Sequence, residues 1–313
     1  MIVRDRPSGL RLFLVLRGSI LSRIWRVLLV NVLLAIAVTM THGAFFQHKV
    51  TLTAIPFTLI GLPLAIFLGF RNTAAYDRFW EGRKLWGELV LRSQNLARQC
   101  LGLIAAAAPQ HPGTPDDTRA RMIRRAIAYA YALRNRLRGD SADAGLDAGW
   151  LQPDEHLALR HSADAPALLM MRMGEDLGEC VRLQRVDPCL AAAIDGTLSA
   201  MVATAVACDR IRNTPIPFSY TLLLHRTAYL YCFLLPFGLV DTIGFMTPFV
   251  VGIVAYTFFG LDALGDELEE PFGTSPNDLP LDALCRTIEI GLKEALGETD
   301  LPAPLAPVDY CLR

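Results

Sequence analysis

The sequence predicts an all-α membrane protein with four transmembrane helices per subunit and a large helical region outside the bilayer. Three observations carry this reading. Four apolar stretches occupy residues 27–40, 54–70, 227–240 and 245–264, and the long segment between the second and third is too polar to span anything. The composition is intermediate, 52% hydrophobic and 19% charged with a mean hydropathy of +0.33, where soluble domains average roughly 25% charged. Lys and Arg collect on one side of the apolar stretches, as cytoplasmic loops require.

The basic start of the chain is interrupted by Arg11, Arg17, Arg23 and Arg26, and no small-residue cleavage site follows, so no cleaved signal peptide is expected. The first apolar stretch, "VLLVNVLLAIAVTM", is short for a span of ~20 residues; it must borrow Ile24 and Trp25 or run on to Phe46. Residues 1–26 hold six Arg and residues 71–100 hold five Arg and one Lys. The connector 41–53 holds only Lys49, and the connector 241–244 holds neither residue. Both termini and the middle segment are therefore expected in the cytoplasm, with two hairpins directed outward. The expected divisions are a cytosolic basic arm (1–26), a first hairpin (27–70), a cytosolic helical region (71–226), a second hairpin (227–264) and a cytosolic C-terminal segment (265–313).

The second stretch passes from oil to water without a turn. No charge occurs from Ile55 to Phe70, charges recur every few positions from Arg71, and "NTAA" would continue a helix. A helix over residues 56–98 would be ~65 Å long at 1.5 Å per residue, twice the ~30 Å of bilayer hydrocarbon. Pro63 is tolerable within it if neighbours satisfy the carbonyl it frees. Leu62, Ile66 and Phe70 recur at i, i+4, i+8 along one face, beside a small-residue row of Gly61, Ala65 and Gly69. The stripe suits packing against neighbours or lipid, and equally an apolar constriction around an axis shared by several copies. Further on, Glu88 and Arg92 form a favourable i, i+4 pair, while Tyr76, Phe79, Trp80 and Trp86 suit an interfacial belt or helix packing.

The polar region reads as helical. "DDTRARMIRRAIAYAYALRNRLRG" has acids at its start, bases at its end and Gly139 to stop it. "SADAGLDAGWLQPDE" reads as a loop. Two further helices meet at Asp187-Pro188, and "TPIPFSY" breaks the chain before the third span. No strand-like alternation or internal repeat is visible. The net charge of −1 gives no reason to expect nucleic acid, and seven scattered cysteines without a C-x-x-C pair read as buried hydrophobes in a reducing compartment.

Three segments, "GFRNTAAYDRFWEGRKLWGEL", "TPIPFSYTLLLHRTAYLYCFLLPFGLVD" and "GLDALGDELEEPFGTSPNDL", together resemble prokaryotic bestrophin homologues, and the resemblance extends over essentially the whole chain. It implies a homopentamer in the bacterial inner membrane around one central pore, and ion-channel activity, with chloride conduction in animal members. It places Leu62, Ile66 and Phe70 on three apolar rings of a neck. A second, cytosolic aperture follows an Asp-Pro pair in the family, which puts Cys189 there with Val186 and Leu190 as neighbours; an aliphatic residue would be the usual occupant. Animal members follow Pro-Phe-Gly with a run of acids forming a calcium clasp. Here "TSPND" keeps only Asp278, and Glu267, Glu269 and Glu270 precede the motif. Calcium prefers six to eight oxygens with several carboxylates, so Glu267, Glu270 and Asp278 form at most a weak remnant and no cofactor is expected.

Ion preference depends on charges facing the watery parts of the conduit. Asp241 is the acid at an outward hairpin; Glu175, Asp176, Glu179 and Asp195 lie near the expected aperture. They lean the reading toward monovalent cations such as sodium, although as solvated or paired surface they would carry no such meaning. A secondary transporter of small ions or solutes is the alternative; it would usually show intramembrane ionisable groups and a repeat between halves. An enzyme is not expected: His42, His48, His111, His156, His161 and His225 form no metal-ligand spacing, and no G-x-S-x-G or phosphate loop occurs. His225, beside Arg226, is expected at the cytosolic interface of the third span.

Overall fold

The computed structural model describes residues 1–4, 9, 15, 18–42, 44–45, 48–49, 53–106 and 117–313. Arg11, Arg17, Phe46 and His111 lie outside these. The described elements are helices α1 (Leu21–Met40), α2 (Ile55–Leu103), α3 (Thr118–Arg138), α4 (Pro153–His161), α5 (Ala165–Arg182), α6 (Pro188–Asn213), α7 (Phe218–Ile243), α8 (Thr247–Glu269) and α9 (Leu281–Ala295). Two-residue strands β1 (Ala44–Phe45) and β2 (His48–Lys49) pair antiparallel between α1 and α2, a pairing too short to leave an alternation in the sequence. The first span gains its length on the N-terminal side, taking in Ile24 and Trp25. Helix α2 is longer than expected, 49 residues or about 74 Å, and continues through Pro63. Helix α4 begins at the end of the segment read as a loop, and α9 lies within the expected C-terminal segment.

The described chain divides into two compact units. One contains Arg4–Phe79 and Pro215–Pro271, and so holds all four apolar stretches. Its core includes Ile24, Cys232, Ala255, Phe259 and Ala263; Ala35, Phe57, Leu235 and Val251; and Leu64, Leu68, Leu224 and Ala228. Helices α7 and α8 are joined through Gly244, whose positive φ of 50° suits a residue without Cβ. Pro236 inside α7 has no N–H for the carbonyl of residue 232. Asn31 of α1 donates its Nδ2 to that carbonyl, on Cys232, at 2.9 Å, so a polar side chain buried among apolar helices repairs a proline defect. Gly238 lets the Phe57 ring lie against α7 where a Cβ would collide with it.

The other unit contains Met1–Val3, Trp80–Thr214 and Phe272–Arg313. Its centre is α3, buried along nearly its whole length. Alanines at 120, 126, 128, 130 and 132 let α5, α6 and α9 approach closely, and several buried polar side chains find partners. Tyr129 Oη donates to the Met201 carbonyl at 2.9 Å and Tyr131 Oη to Glu289 at 2.8 Å; Arg121 and Arg125 both bond Asp176. Gly139 ends α3 in the left-handed conformation (φ 77°). Helix α9 buries Leu281, Cys285, Ile288 and Leu292, spaced i, i+4, i+7, i+11 on one face. Helix α4 opens with Pro153 in its first turn, and the Glu155 carboxylate accepts the Gln152 N–H at 3.1 Å. By length and composition α6 could also cross a membrane, with a hydropathy of 1.6 in its most apolar window, yet its Ile194, Leu198, Met201 and Cys208 are buried within this unit.

Asp117 caps α3, accepting the Arg119 N–H at 3.0 Å and the Arg119 guanidinium at 2.7 Å. Burial alone would raise its pKa, but the hydrogen bonds from Arg119 and the charges of Arg119 and Arg185 hold it below the usual carboxylate range. The carboxylate's stabilisation is therefore fully present above about pH 4 and is lost as pH falls through the depressed folded value. Asp117→Ala should cost about 1–2 kcal/mol at neutral pH, and denaturant unfolding at descending pH should show that difference shrinking toward zero below about pH 4.

Candidate functional site

The first four turns of α2 have two unlike faces. Leu64 and Leu68 are buried against Leu224 and Ala228. Leu62, Ile66 and Phe70, expected as neck residues, are 67%, 47% and 62% exposed, with Leu59 also on the uncovered side. One face is therefore committed to the protomer's own core, while the other presents large apolar side chains that are left exposed among the described residues. The small-residue row does not act as a unit: Gly61 packs beneath Tyr231, whereas Gly69 has open space around it. The expected aromatic belt is also divided, since Tyr76 and Trp80 are exposed, Trp80 under the Arg83 guanidinium, while Trp86 is wholly buried.

Immediately after Phe70 comes a group that sequence reasoning missed. Arg71 is 1% exposed. Its Nη1 donates to Asp262 Oδ1 at 3.0 Å and to the Asp262 carbonyl at 3.1 Å; its Nη2 bonds Asp266 and lies 3.5 Å from Glu269. Asn72 adds a bond from Nδ2 to the Leu261 carbonyl at 3.0 Å. Helix α8 can approach this closely only because residue 265 is glycine; a Cβ there would lie 2.6 Å from Asn72 Oδ1 and 3.1 Å from Arg71 Nη1. From α7, His225 Nδ1 reaches Asp262 Oδ2 at 2.7 Å and its ring lies 4.2 Å from that of Tyr229. Arg23 of α1 is 3.9 Å from Asp266 and 3.7 Å from Glu267. Four helices thus meet at one charged cluster. The available signal was an acid and a base, each set in otherwise apolar sequence ("LGFRN", "FGLDAL"), the kind of residue that is expensive there without a role.

The remaining expected residues are placed as follows. Cys189 and Leu190 are exposed in the first turn of α6, where Asp187 accepts the Cys189 N–H at 2.8 Å. Val186 is buried, because its side chain turns into the protomer before that helix begins. On α5, Glu175 and Glu179 are exposed, with Glu175 3.3 Å from Arg172. Asp176 faces inward to Arg121 and Arg125 and is not a free surface charge. Asp195 on α6 and Asp241 at the end of α7 are exposed. Of the carboxylates weighed for calcium, Glu267 pairs with Arg23, Glu270 is exposed beyond α8, and Asp278 is buried, accepting the Ser275 N–H at 2.7 Å. Among the described residues, no group of three or more His, Cys, Asp or Glu side chains gathers as a metal site would require.

These features define the class: a helical membrane protein whose long second helix keeps one apolar face uncovered and anchors the other through a buried charge cluster. The chain belongs to the bacterial/fungal bestrophin family, whose model matches residues 1–294. It is 43% identical over 314 residues to a voltage-dependent anion channel-forming protein of Mesorhizobium japonicum, covering 99% of this chain and 96% of that one. It is 40% identical over 308 residues to the voltage-dependent anion channel-forming protein YneE of Escherichia coli K12, covering 98% of each. The fold is similar to a crystal structure of a variant bacterial bestrophin homologue from Klebsiella pneumoniae, with a TM-score of 0.82 and 36% identity over 88% of this chain and 100% of that one.

Arg71→Met would leave Asp262 buried without its guanidinium partner and should destabilise the protein by about 3–5 kcal/mol. Arg92→Ala, which breaks the exposed pair with Glu88, should cost about 0.5 kcal/mol or less. Thermal unfolding in one detergent would measure both.

Proposed function

We propose that the chain assembles as a homopentamer around a single axis and conducts small monovalent ions through a neck lined by Leu62, Ile66 and Phe70. The observation that carries this is the row of three large apolar side chains left uncovered on α2, directly opposite a face that is fully packed. Five such faces around an axis would cover one another and leave a narrow apolar passage, which can gate by dewetting. Family membership supports the same arrangement. In this reading α1, the first part of α2, α7 and α8 cross the inner membrane. The unit built on α3 is cytosolic, with both termini on that side, and Cys189 and Leu190 at the start of α6 contribute the second aperture. No resident cofactor is required.

Anion conduction is the primary reading of charge preference, since relatives similar over nearly the whole chain are named anion channel-forming proteins. The exposed acids Glu175, Glu179, Asp195 and Asp241 favour a second reading, conduction of cations such as sodium. Slow carrier-like transport is the alternative if no discrete conductance exists.

Current through the purified protein in a planar bilayer under a salt gradient tests each part. A discrete conductance with a stable reversal potential is expected, and its sign selects anions or cations. Leu62→Ala, Ile66→Ala and Phe70→Ala should each widen the neck and raise the current several-fold; unchanged currents in all three would remove α2 from the conduit.

A further inference from the structure

Phe70 and Arg71 are consecutive on one helix, so about 100° of rotation separates their side chains. Phe70 is among the most exposed apolar groups of α2 and Arg71 among the most buried of the molecule. Whatever fixes the Arg71 guanidinium therefore fixes both the rotation of α2 about its axis and its height against α8 at the level of the Phe70 ring. Four contacts do so: Asp262 by side chain and carbonyl, Asp266, and Glu269. Within the protomer the outer end of this cluster is only half covered. His225, whose side chain is 45% exposed, holds the second oxygen of the same Asp262 carboxylate.

We propose that Arg71 is the positioning residue for the Phe70 ring of the neck, and that His225 controls it through Asp262, so that protonation at this histidine changes conduction. The proposal rests on the neck reading above and adds its regulation. Asp262 of α8 is shared between one permanent cation, Arg71 of α2, and one conditional cation, His225 of α7. Asp266 stands one turn further along α8 and also meets Arg23 of α1; Glu269 adds a third carboxylate, and Arg78 Nε donates to its carbonyl at 3.1 Å. The Arg71 guanidinium thus faces three carboxylates, and a second positive charge beside Asp262 relieves that excess. When His225 carries a proton, α7 and α8 are drawn together on Asp262 and the clamp on α2 stiffens, holding Phe70 across the passage. When it is neutral, Asp262 keeps one charged partner and the ring has more freedom. Histidine is the side chain that makes such a change between roughly pH 5 and 8.

The test is the current of the full-length channel in a planar bilayer as the cytosolic pH is lowered through that window, for the wild type, His225→Gln, Arg71→Lys and Phe70→Ala. The expected result is a several-fold fall in wild-type current on acidification. His225→Gln, which keeps a hydrogen-bond donor at a half-exposed position and loses the charge, should flatten the profile. Phe70→Ala should flatten it too, since no ring remains to be held. Arg71→Lys keeps the charge but not the forked geometry and should weaken the response. A purely structural Arg71 would lower the unfolding temperature of its variant without touching the pH profile. If Leu62, Ile66 and Phe70 substitutions all leave the current unchanged, the neck reading itself fails. If those substitutions raise the current but the wild type is pH-independent, or His225→Gln keeps the wild-type profile, the clamp proposal alone is overturned.

Discussion

The apolar unit is organised around burying one guanidinium. Removing an arginine and its counter-ions from water costs several kcal/mol per ion, and only good geometry with further hydrogen bonds offsets it. Arg71 obtains that geometry from about two turns of α8: both the side chain and the carbonyl of Asp262, then Asp266 and Glu269. The requirement propagates outward. Gly265 has to be small so that α8 can lie against Arg71 and Asn72. A single cation among three acids leaves negative charge over; Arg23 brings α1 to the cluster's edge beside Asp266, and His225 brings α7 there through its hydrogen bond to Asp262. The packing of four helices is thereby tied to a charge balance.

How far this was legible in the sequence differs from element to element. Helix α2 could be read because an uncharged run passes into a charged one with no turn residue between them. Its extra turns, and the lengthening of α7 and α8, escaped because hydropathy reports where a helix is apolar and is silent on where it continues. Helix α9 carries a regular signal in Leu281, Cys285, Ile288 and Leu292, overlooked between the Pro-rich stretches that flank it. Helix α4 was hidden by the Gly- and Asp-rich segment before it, although Pro153 followed by Asp154 and Glu155 is a helix start.

The site was half legible for a related reason. Periodicity alone assigns Leu62, Ile66 and Phe70 to one face, and the structure leaves that face uncovered. Periodicity says nothing of partners far away in sequence. Arg71 and Asp262 are 191 positions apart, and each alone looks like a charge at a membrane boundary. Asn31 and Pro236 present the same difficulty: a polar residue in one apolar stretch and a proline in another explain each other only once α1 lies beside α7. Burial corrected the acids in the same way, turning Asp176 from a candidate surface charge into the partner of Arg121 and Arg125.

A division of labour follows from where the charges are held. Every ionisable side chain of α2 up to Arg71 is absent or buried, so the face bearing Leu62, Ile66 and Phe70 offers an ion neither attraction nor repulsion by sign. A passage built from that face discriminates through the cost of dehydration and through width, and both are set by how α2 is rotated. In the proposed channel the sign of the conducted ion would then fall to groups where water and charge coexist, such as Glu175, Glu179 and Asp241, which are exposed. In that proposal, burying Arg71 would keep the two tasks separate. An arginine one position from Phe70, left free to reach the passage, would impose a positive field on the proposed neck; held by Asp262 against α8, it is kept away from that face.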